Sequence, residues 1–191
     1  LSLLEEPGLV NEPVASSIRA LCLLKMGQTE AARQEALSAI KLDPSYHSPY
    51  WIALDTFTGS ELTEQLEIGK RAVALSGKPW IFVERLADLA SDERYRKPYM
   101  NLVESAARRE PGRRARAERA RWIGHVYDSD GKKHRALKSY LDACEYFPEE
   151  AKYWLLAGQS YLELGDLRSA QNLLDRVPAG LKKEQALQEL A

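Results

Sequence analysis

The sequence has few of the residues that build metal centres and disulfide frameworks. Its 191 residues include two cysteines and three histidines. The cysteines, Cys22 and Cys144, form no C-x-x-C pair, and the histidines show no spacing typical of metal ligands. These shortages argue against a disulfide-bonded scaffold and against a zinc ribbon. We expect both cysteines to fill the hydrophobic core.

Long apolar runs and an excess of one charge are also missing. No apolar run approaches the roughly 20 residues that a membrane-spanning helix needs, and no secretory signal is visible. With 27 basic and 28 acidic residues the formal net charge is −1, so the whole chain is not drawn to nucleic acid or to an anionic membrane. Apolar residues make up 45% and charged residues 29%, as in folded soluble proteins. The compartment, cytoplasmic or periplasmic, stays open.

The motifs that mark common catalytic sites are absent from the sequence as well. There is no G-x-G-x-x-G, no Walker loop and no H-E-x-x-H. The segment Gly158-Gln159-Ser160 lacks the second glycine of a G-x-S-x-G nucleophile elbow. The segment Asp128-Ser129-Asp130-Gly131 resembles the middle of a calcium loop, but Val126 and Leu137 occupy the places of its first Asp and last Glu. We therefore predict a protein that is not an enzyme and that binds no metal or cofactor.

What the sequence does contain is an internal repeat. Two segments align without gaps at a spacing of 34 residues, and chance rarely matches so many special residue types in one register. The matched residues are Gly124, Tyr127, Gly131 and Ala136 in the first segment and Gly158, Tyr161, Gly165 and Ala170 in the second. A period of this length indicates stacked helical hairpins, because one hairpin cannot bury its apolar face alone.

Each repeated residue type has a mechanical role in a pair of antiparallel helices. A glycine such as Gly124 on the first helix lets the second helix approach closely. A glycine such as Gly131 near the turn accepts the positive φ that often ends a helix. An alanine such as Ala136 keeps the distance between the helices short, and Pro148 ends the second helix because it cannot continue the hydrogen-bond ladder.

The same pattern extends, less completely, toward the N-terminus. The two middle repeats lack the glycine at the turn and are degenerate. We predict five hairpins, at 13–46, 47–78, 79–116, 117–150 and 151–179, preceded at 1–12 by the end of a helix and a turn, and followed at 180–191 by a capping helix or the start of a further repeat. Because the chain begins at Leu1 rather than at a methionine, we also expect it to be a piece of a longer protein.

The pattern W-x2-L-G-x2-Y, followed by Gly, Ala and Pro, resembles the tetratricopeptide repeat (TPR) family. The stretch from Trp154 to Val177 carries nearly all of it, with Ala157 where the family usually has leucine. The resemblance covers about 13–184 and is strongest over 117–178. It implies an all-α fold, a right-handed α-solenoid of stacked antiparallel hairpins. It also implies that the first helices line a concave groove that receives a peptide or helix of a partner.

Helix periodicity gives the residues that point into this predicted groove. In the last two repeats the candidate partner-binding residues are Arg121, His125, Asp128, Lys152, Leu155, Gln159 and Leu162. In the earlier repeats they are Ser17, Leu21, Ile52, Thr56, Glu84 and Asp88. The two leucines favour an apolar or amphipathic partner segment. Chaperone-binding TPR domains hold a C-terminal carboxylate with a clamp that includes asparagines, and because those positions hold other residues here, we expect no clamp.

A second candidate surface is an arginine-rich stretch between the third and fourth hairpins. The residues of this candidate anion patch are Arg108, Arg109, Arg113, Arg114 and Arg116. Arginine suits bidentate recognition of carboxylate or phosphate, so the patch predicts an acidic partner or an acidic polysaccharide. The alternative is a solvated face whose arginines pair with nearby acids, as Arg114 would with Glu118. Nucleic acid is not expected, because no aromatic residues interleave these arginines.

The patterns together predict a protein-interaction scaffold or adaptor that holds a peptide or helix of a partner in its groove. Charge reversal at Lys152 or truncation of Leu155 is expected to weaken that binding. Two alternatives stay open. One is the periplasmic TPR segment of a bacterial exopolysaccharide or cellulose export protein, and the other is the substrate-selecting region of an enzyme whose catalytic domain lies outside this chain. Self-association through uncapped ends is a further expectation.

Overall fold

The computed structural model describes residues 13–57, 61–75 and 77–181, and within them the chain forms α-helices, 3-10 helix and turns, with no strand. In chain order the helices are α1 (Pro13–Lys25), α2 (Thr29–Leu42), α3 (Ser48–Asp55), α4 (Leu62–Leu75), α5 (Pro79–Arg85), α6 (Glu93–Arg109), α7 (Arg113–Ser129), α8 (Lys133–Tyr146), α9 (Ala151–Glu163) and α10 (Leu167–Arg176). A 3-10 helix, Ala87–Ser91, lies between α5 and α6. Among the described helices, none combines the length and apolar composition that a bilayer crossing requires.

The chain divides into two compact units, one up to Leu89 and one from Ala90 onward. In the first unit, α1 to α5 pack in sequence order, each helix against the next, and α3 also contacts α1 and α5. Three alanines of α2, Ala32, Ala36 and Ala39, are fully buried, because small side chains let the neighbouring helices approach closely. The Arg33 guanidinium joins α2 to the following hairpin, since it donates to the Thr56 carbonyl at 2.9 Å.

In the second unit, α6 to α10 also pack each against the next. The core of this unit lies between α7, α8 and α9 and contains a row of alanines with larger aromatic side chains between them. Its main members are Ala117, Ala136, Tyr140, Ala143, Tyr153, Trp154, Ala157 and Leu173. The Trp154 indole N–H also donates to the Pro148 carbonyl at 2.9 Å, which fixes the entry into α9.

The turns of three hairpins share one geometry. Gly27, Gly131 and Gly165 all have positive φ, between 71° and 75°, as predicted for Gly131 and Gly165. In each turn the residue after the glycine donates its N–H to a carbonyl five residues earlier, for example Lys132 to Tyr127 at 2.9 Å. These bonds satisfy carbonyls that the end of an α-helix leaves without a helical partner. The prediction of glycine-terminated first helices is confirmed at these positions.

Some predicted boundaries differ from the observed helices. Helix α7 begins at Arg113, so the boundary predicted between 116 and 117 lies inside it. Pro98 predicts the start of the second helix of the third hairpin, because proline is tolerated near a helix N-terminus. Helix α6 instead begins at Glu93, after an Asp92 N-cap whose side chain accepts from the N–H of Arg94, so Pro98 is its sixth residue. Residues 180 and 181 follow α10 without continuing its helix, and the segments predicted at 1–12 and 182–191 lie outside the described residues.

The two cysteines have different environments. Cys144 is buried in the core of the second unit, and burial raises the pKa of its thiol to about 12, because a thiolate there would lose its hydration. Its predicted core role is confirmed. Cys22 is exposed on α1, so the prediction that it fills the core is wrong. The sequence pattern misled because Cys22 lies on a helix whose packed side is formed by Ala15 and Ala20.

Candidate partner-binding face

Four residues of α9 form one stripe along the outside of the helix, here called the α9 stripe. They are Lys152, Leu155, Gln159 and Leu162, separated by three, four and three residues, which places them on one side of a helix. Gln159 is exposed and Leu162 is 40% exposed, whereas Lys152 and Leu155 are half-buried. The opposite side of α9 packs into the core through Tyr153 and Ala157. The stripe is thus the accessible side of a helix whose other side is fixed.

The predicted groove residues of α7 are less accessible. The His125 ring is half-buried, with its centroid 5.4 Å from that of Trp122 in an edge-to-face contact. The Asp128 carboxylate, also half-buried, accepts from the Lys133 ammonium at 2.7 Å. Arg121 is only 9% exposed. Arg121 is therefore closed off, His125 and Asp128 are half-buried like Lys152 and Leu155, and the most exposed side chains of the face are Gln159 and Leu162 of α9.

A buried carboxylate joins α7 to α9. The Glu118 side chain is 3% exposed, and one of its oxygens, Oε2, accepts from Arg121 Nε at 2.8 Å. Its other oxygen, Oε1, accepts from Lys152 Nζ at 2.5 Å and from Tyr153 Oη at 3.0 Å. Three donors from two hairpins thus converge on one carboxylate, as a buried charge requires. We call these residues, Glu118, Arg121, Lys152 and Tyr153, the Glu118 network.

The charges of the Glu118 network keep the carboxylate ionised. Burial by itself raises the pKa of Glu118, but the positive charges of Arg121 and Lys152 and their hydrogen bonds outweigh burial and hold the pKa below its usual value. The phenol of Tyr153 shifts in the opposite direction. Its pKa rises because the ring is buried and because its hydroxyl faces the negative charge of Glu118. At neutral pH the Tyr153 phenol is therefore protonated and donates a hydrogen bond to the ionised Glu118 carboxylate, which can only accept.

The lowered pKa of Glu118 predicts an acid-sensitive contribution to stability. The contribution is fully present above the pKa of an unfolded glutamate, about 4.3, and is lost as the pH falls through the lower pKa of the folded state. We expect the stability difference between the wild type and Glu118→Gln to stay constant from about pH 7 to about pH 5 and to narrow below about pH 4. Urea unfolding of both proteins across this range measures the difference. A difference that persists at acid pH would contradict the ionised network.

Sequence reasoning missed the role of Glu118, which it paired with Arg114. A signal was nevertheless present, because Glu118 and Lys152 are 34 residues apart, the period of the repeat. Opposite charges at equivalent positions of successive hairpins are brought side by side when the hairpins stack. The spacing of the repeat thus predicts an ion pair between neighbouring first helices wherever two residues 34 positions apart carry opposite charges.

In the first unit, three of the predicted groove residues, Ser17, Ile52 and Thr56, do not face solvent. Ile52 lies in α3 and is 2% exposed, and Thr56, the C-cap of α3, is 1% exposed. Both belong to the core, so their assignment to the groove is wrong. The physical reason is that α3 has only eight residues and is packed against α1, α2, α4 and α5. Of the remaining candidates, Leu21 is half-buried, Ser17 is buried with its hydroxyl bonded to the Pro13 carbonyl, and Glu84 and Asp88 are exposed.

The first unit has an apolar cavity of its own. Its volume is about 470 Å3, and α3, α5 and the loop before α5 line it with His47, Trp51, Gly77, Lys78, Ile81 and Phe82. Ile81 is exposed and Trp51 is half-buried, so both side chains present apolar surface at its edge. First helices thus expose apolar side chains in both units, through Ile81 in one and Leu162 in the other.

The arginines of the candidate anion patch point in different directions. Arg108, Arg109 and Arg114 are exposed. Arg113 pairs with Glu149 at 3.1 Å, and the Arg116 guanidinium lies 5.4 Å from the centroid of the Tyr146 ring. Because successive residues of a helix are turned by about 100°, Arg113 and Arg116 share one side of α7 while Arg114 points away from them. Among the described residues, no group of three or more metal-ligating side chains comes together.

Comparisons with known proteins agree with this architecture. A model of the tetratricopeptide repeat family matches residues 18–46 and 151–177. Comparison with curated protein sequences finds no significant match. Among solved structures, MamA of Desulfovibrio magneticus RS-1 (residues 41 to the end) is 16% identical, with 91% of this chain and 96% of that chain covered and a TM-score of 0.55.

Two further solved structures have the same fold. PilW, described as a widely conserved type IV pilus biogenesis factor, is 13% identical, with 94% of this chain and 83% of that chain covered and a TM-score of 0.60. YrrB, described as a TPR protein with an unusual peptide-binding site, is 18% identical, with 98% of this chain and 95% of that chain covered and a TM-score of 0.52. At such identities the likeness concerns the fold. The chain therefore contains tetratricopeptide repeats, matched at residues 18–46 and 151–177, within an all-α fold of stacked helical hairpins.

Proposed function

We propose that this chain is a protein-interaction scaffold that holds an amphipathic segment of a partner protein against α7 and α9. The observation that carries the proposal is the α9 stripe, which presents Gln159 and Leu162 to solvent and is joined through Lys152 to the Glu118 network. A rigid helix face with apolar and amide side chains suits a partner that supplies matching apolar side chains and hydrogen-bonding groups.

The charges of this face are already engaged inside the chain. Lys152 is bonded to Glu118, and Asp128 is paired with Lys133. A partner would therefore gain little from charged side chains at these positions, because it would have to displace an existing ion pair. We expect the partner to be recognised through Leu155, Gln159 and Leu162. The binding affinity should then depend only weakly on the salt concentration. Charge reversal at Lys152 is a poor test, since it would place a second carboxylate beside Glu118 and disturb the fold.

A photo-cross-linking residue at position 159 tests the proposal. Peptides are selected from a random displayed library on the purified chain, and their cross-linking is compared between variants that carry p-benzoylphenylalanine at Gln159 or at Gln171. Both glutamines are exposed and belong to the same hairpin, but Gln171 lies on α10, outside the α9 stripe. We expect the selected peptides to cross-link to position 159 and not to position 171.

An affinity measurement completes this test. Leu162→Asp is expected to weaken the binding of a selected peptide by about tenfold in Kd, because it removes the burial of one large apolar side chain. The melting temperature should stay within a few degrees of the wild type, since Leu162 is 40% exposed. Equal cross-linking at both glutamines, or an unchanged Kd for Leu162→Asp, would show that the partner binds elsewhere.

A further inference from the structure

A second concave site lies along the hairpin of α7 and α8, here called the hairpin cavity. Its volume is about 470 Å3. Five residues of α7 and five of α8 line it: Arg116, Arg119, Ala120, Ile123, Tyr127, Arg135, Lys138, Ser139, Asp142 and Tyr146. Four of these side chains are cationic and one is anionic, so the hairpin cavity is strongly basic although the whole chain is not.

The hairpin cavity is separate from the partner-binding face. Arg119 and Ile123 lie two residues before Arg121 and His125 on α7. Because two residues of an α-helix are turned by about 200°, the first pair points to the opposite side of α7 from the second. The two sites therefore share a helix but not a surface, and a ligand in one leaves the other accessible.

The cations of the hairpin cavity are held in place but are only partly neutralised. The Arg116 and Arg135 guanidinium groups lie 5.4 and 5.8 Å from the centroids of the Tyr146 and Tyr127 rings, which restrict their long side chains. Arg119 pairs with Glu104 of α6 at 2.6 Å. In the part of the chain that the structure describes, Arg116, Arg135 and Lys138 form no ion pair with a carboxylate. Positioned cations without acidic partners are what an anionic ligand requires.

The length of the hairpin cavity indicates what kind of anion fits. Its lining spans eleven residue steps on each helix, from Arg116 to Tyr127 on α7 and from Arg135 to Tyr146 on α8. At the helical rise of 1.5 Å per residue this is roughly 16 Å. A single phosphate or carboxylate would occupy a small part of that length. An extended peptide of about five residues, at about 3.3 Å each, would fill it.

We propose that the hairpin cavity binds a short, extended and acidic peptide segment. Its carboxylates would pair with Arg116, Arg135 and Lys138 at the two ends and along one wall. An apolar side chain between the carboxylates would contact Ile123 and Ala120, which a uniformly charged polyanion could not use. The segment differs from the amphipathic partner proposed above in site and in chemistry, so either proposal can fail without the other.

Fluorescence anisotropy on the purified chain tests this proposal. The probe is a labelled peptide in which glutamates alternate with leucine and alanine, and the control peptide has glutamine at every glutamate. We expect only the glutamate peptide to bind, with an affinity that falls as the salt concentration rises. Arg135→Glu combined with Lys138→Glu is expected to raise the Kd at least about tenfold, since two exposed ion pairs become repulsions.

Arg108→Glu combined with Arg114→Glu is the matched control, because it changes the net charge equally at two exposed arginines that do not line the hairpin cavity. We expect it to change the Kd less than about twofold. An equal loss in both double variants would overturn the proposal in favour of general electrostatic attraction. Displacement of the peptide by inorganic phosphate at equal concentration would overturn the assignment to a peptide. Circular dichroism confirms that both variants retain their helices.

Discussion

Glu118→Gln is expected to lower the free energy of unfolding by about 3 kcal/mol. The carboxylate is buried and accepts from Arg121, Lys152 and Tyr153 through its two oxygens. Glutamine keeps the shape but replaces one acceptor oxygen with an NH2 group, which turns donors toward donors. It also removes the negative charge that compensates two buried or half-buried cations. Breaking a buried ion pair from one side costs about 3–5 kcal/mol, and the partial exposure of Lys152 places the expected value at the lower limit.

Two variants of the partners serve as controls. Lys152→Met is expected to cost about 1 kcal/mol or less, because Glu118 keeps Arg121 and because the Lys152 side chain is 35% exposed. Tyr153→Phe removes one hydrogen bond and is expected to cost about 1–1.5 kcal/mol. Urea unfolding gives all three values. The network would be irrelevant to stability if Glu118→Gln stayed within about 0.5 kcal/mol of the wild type.

Gly124→Ala is expected to destabilise the second unit by about 1–2 kcal/mol, although alanine is the better helix former. A Cβ at this position would lie 2.5 Å from Cε1 and 2.7 Å from Cδ1 of the Tyr140 ring. Tyr140 is itself buried in the core, so the ring cannot withdraw without displacing its neighbours. Overpacking of this kind costs about 1–3 kcal/mol, and the gain in helix propensity of about 1 kcal/mol offsets only part of it.

A double-mutant cycle identifies the cause of this loss. In the next repeat, 34 residues further on, leucine (Leu174) stands at the position of Tyr140 and glycine (Gly158) at the position of Gly124. Tyr140→Leu should therefore make room for the added methyl group. We expect Gly124→Ala to be neutral or stabilising in the Tyr140→Leu background, with a coupling energy of about 1 kcal/mol or more. A cycle with no coupling would attribute the loss to something other than the contact with this ring.

The sequence predicts best the features that depend on one hairpin. The positive φ of Gly131 and Gly165 and the close approach at Gly124 follow from residues that repeat every 34 positions, because each of them acts within a single helical pair. The all-α fold follows for the same reason. Local chemistry also accounts for the ends of helices, such as α8, which ends two residues before Pro148.

Features that depend on contacts between hairpins are predicted poorly. Helix periodicity places Arg121 on the accessible side of α7, but the neighbouring hairpin covers it and the side chain becomes part of the Glu118 network. Thr56 is likewise drawn into the core, where its hydroxyl donates to the Ala53 carbonyl and accepts from Arg33. Of the candidate anion patch, Arg116 lines the hairpin cavity. Arg135 and Lys138 lie about 20 residues further along the chain on another helix, so the sequence pattern did not join them to it.

The position of Glu118 bears on how the chain unfolds. This residue belongs to one hairpin, whereas Lys152 and Tyr153 belong to the next, so their free energy is an interfacial term between repeats rather than a property of either. In a stacked array such terms set the cooperativity between nearest neighbours. Strong coupling at this boundary means that the C-terminal hairpin does not fray alone, and that the surface it shares with the preceding hairpin is kept or lost as a whole.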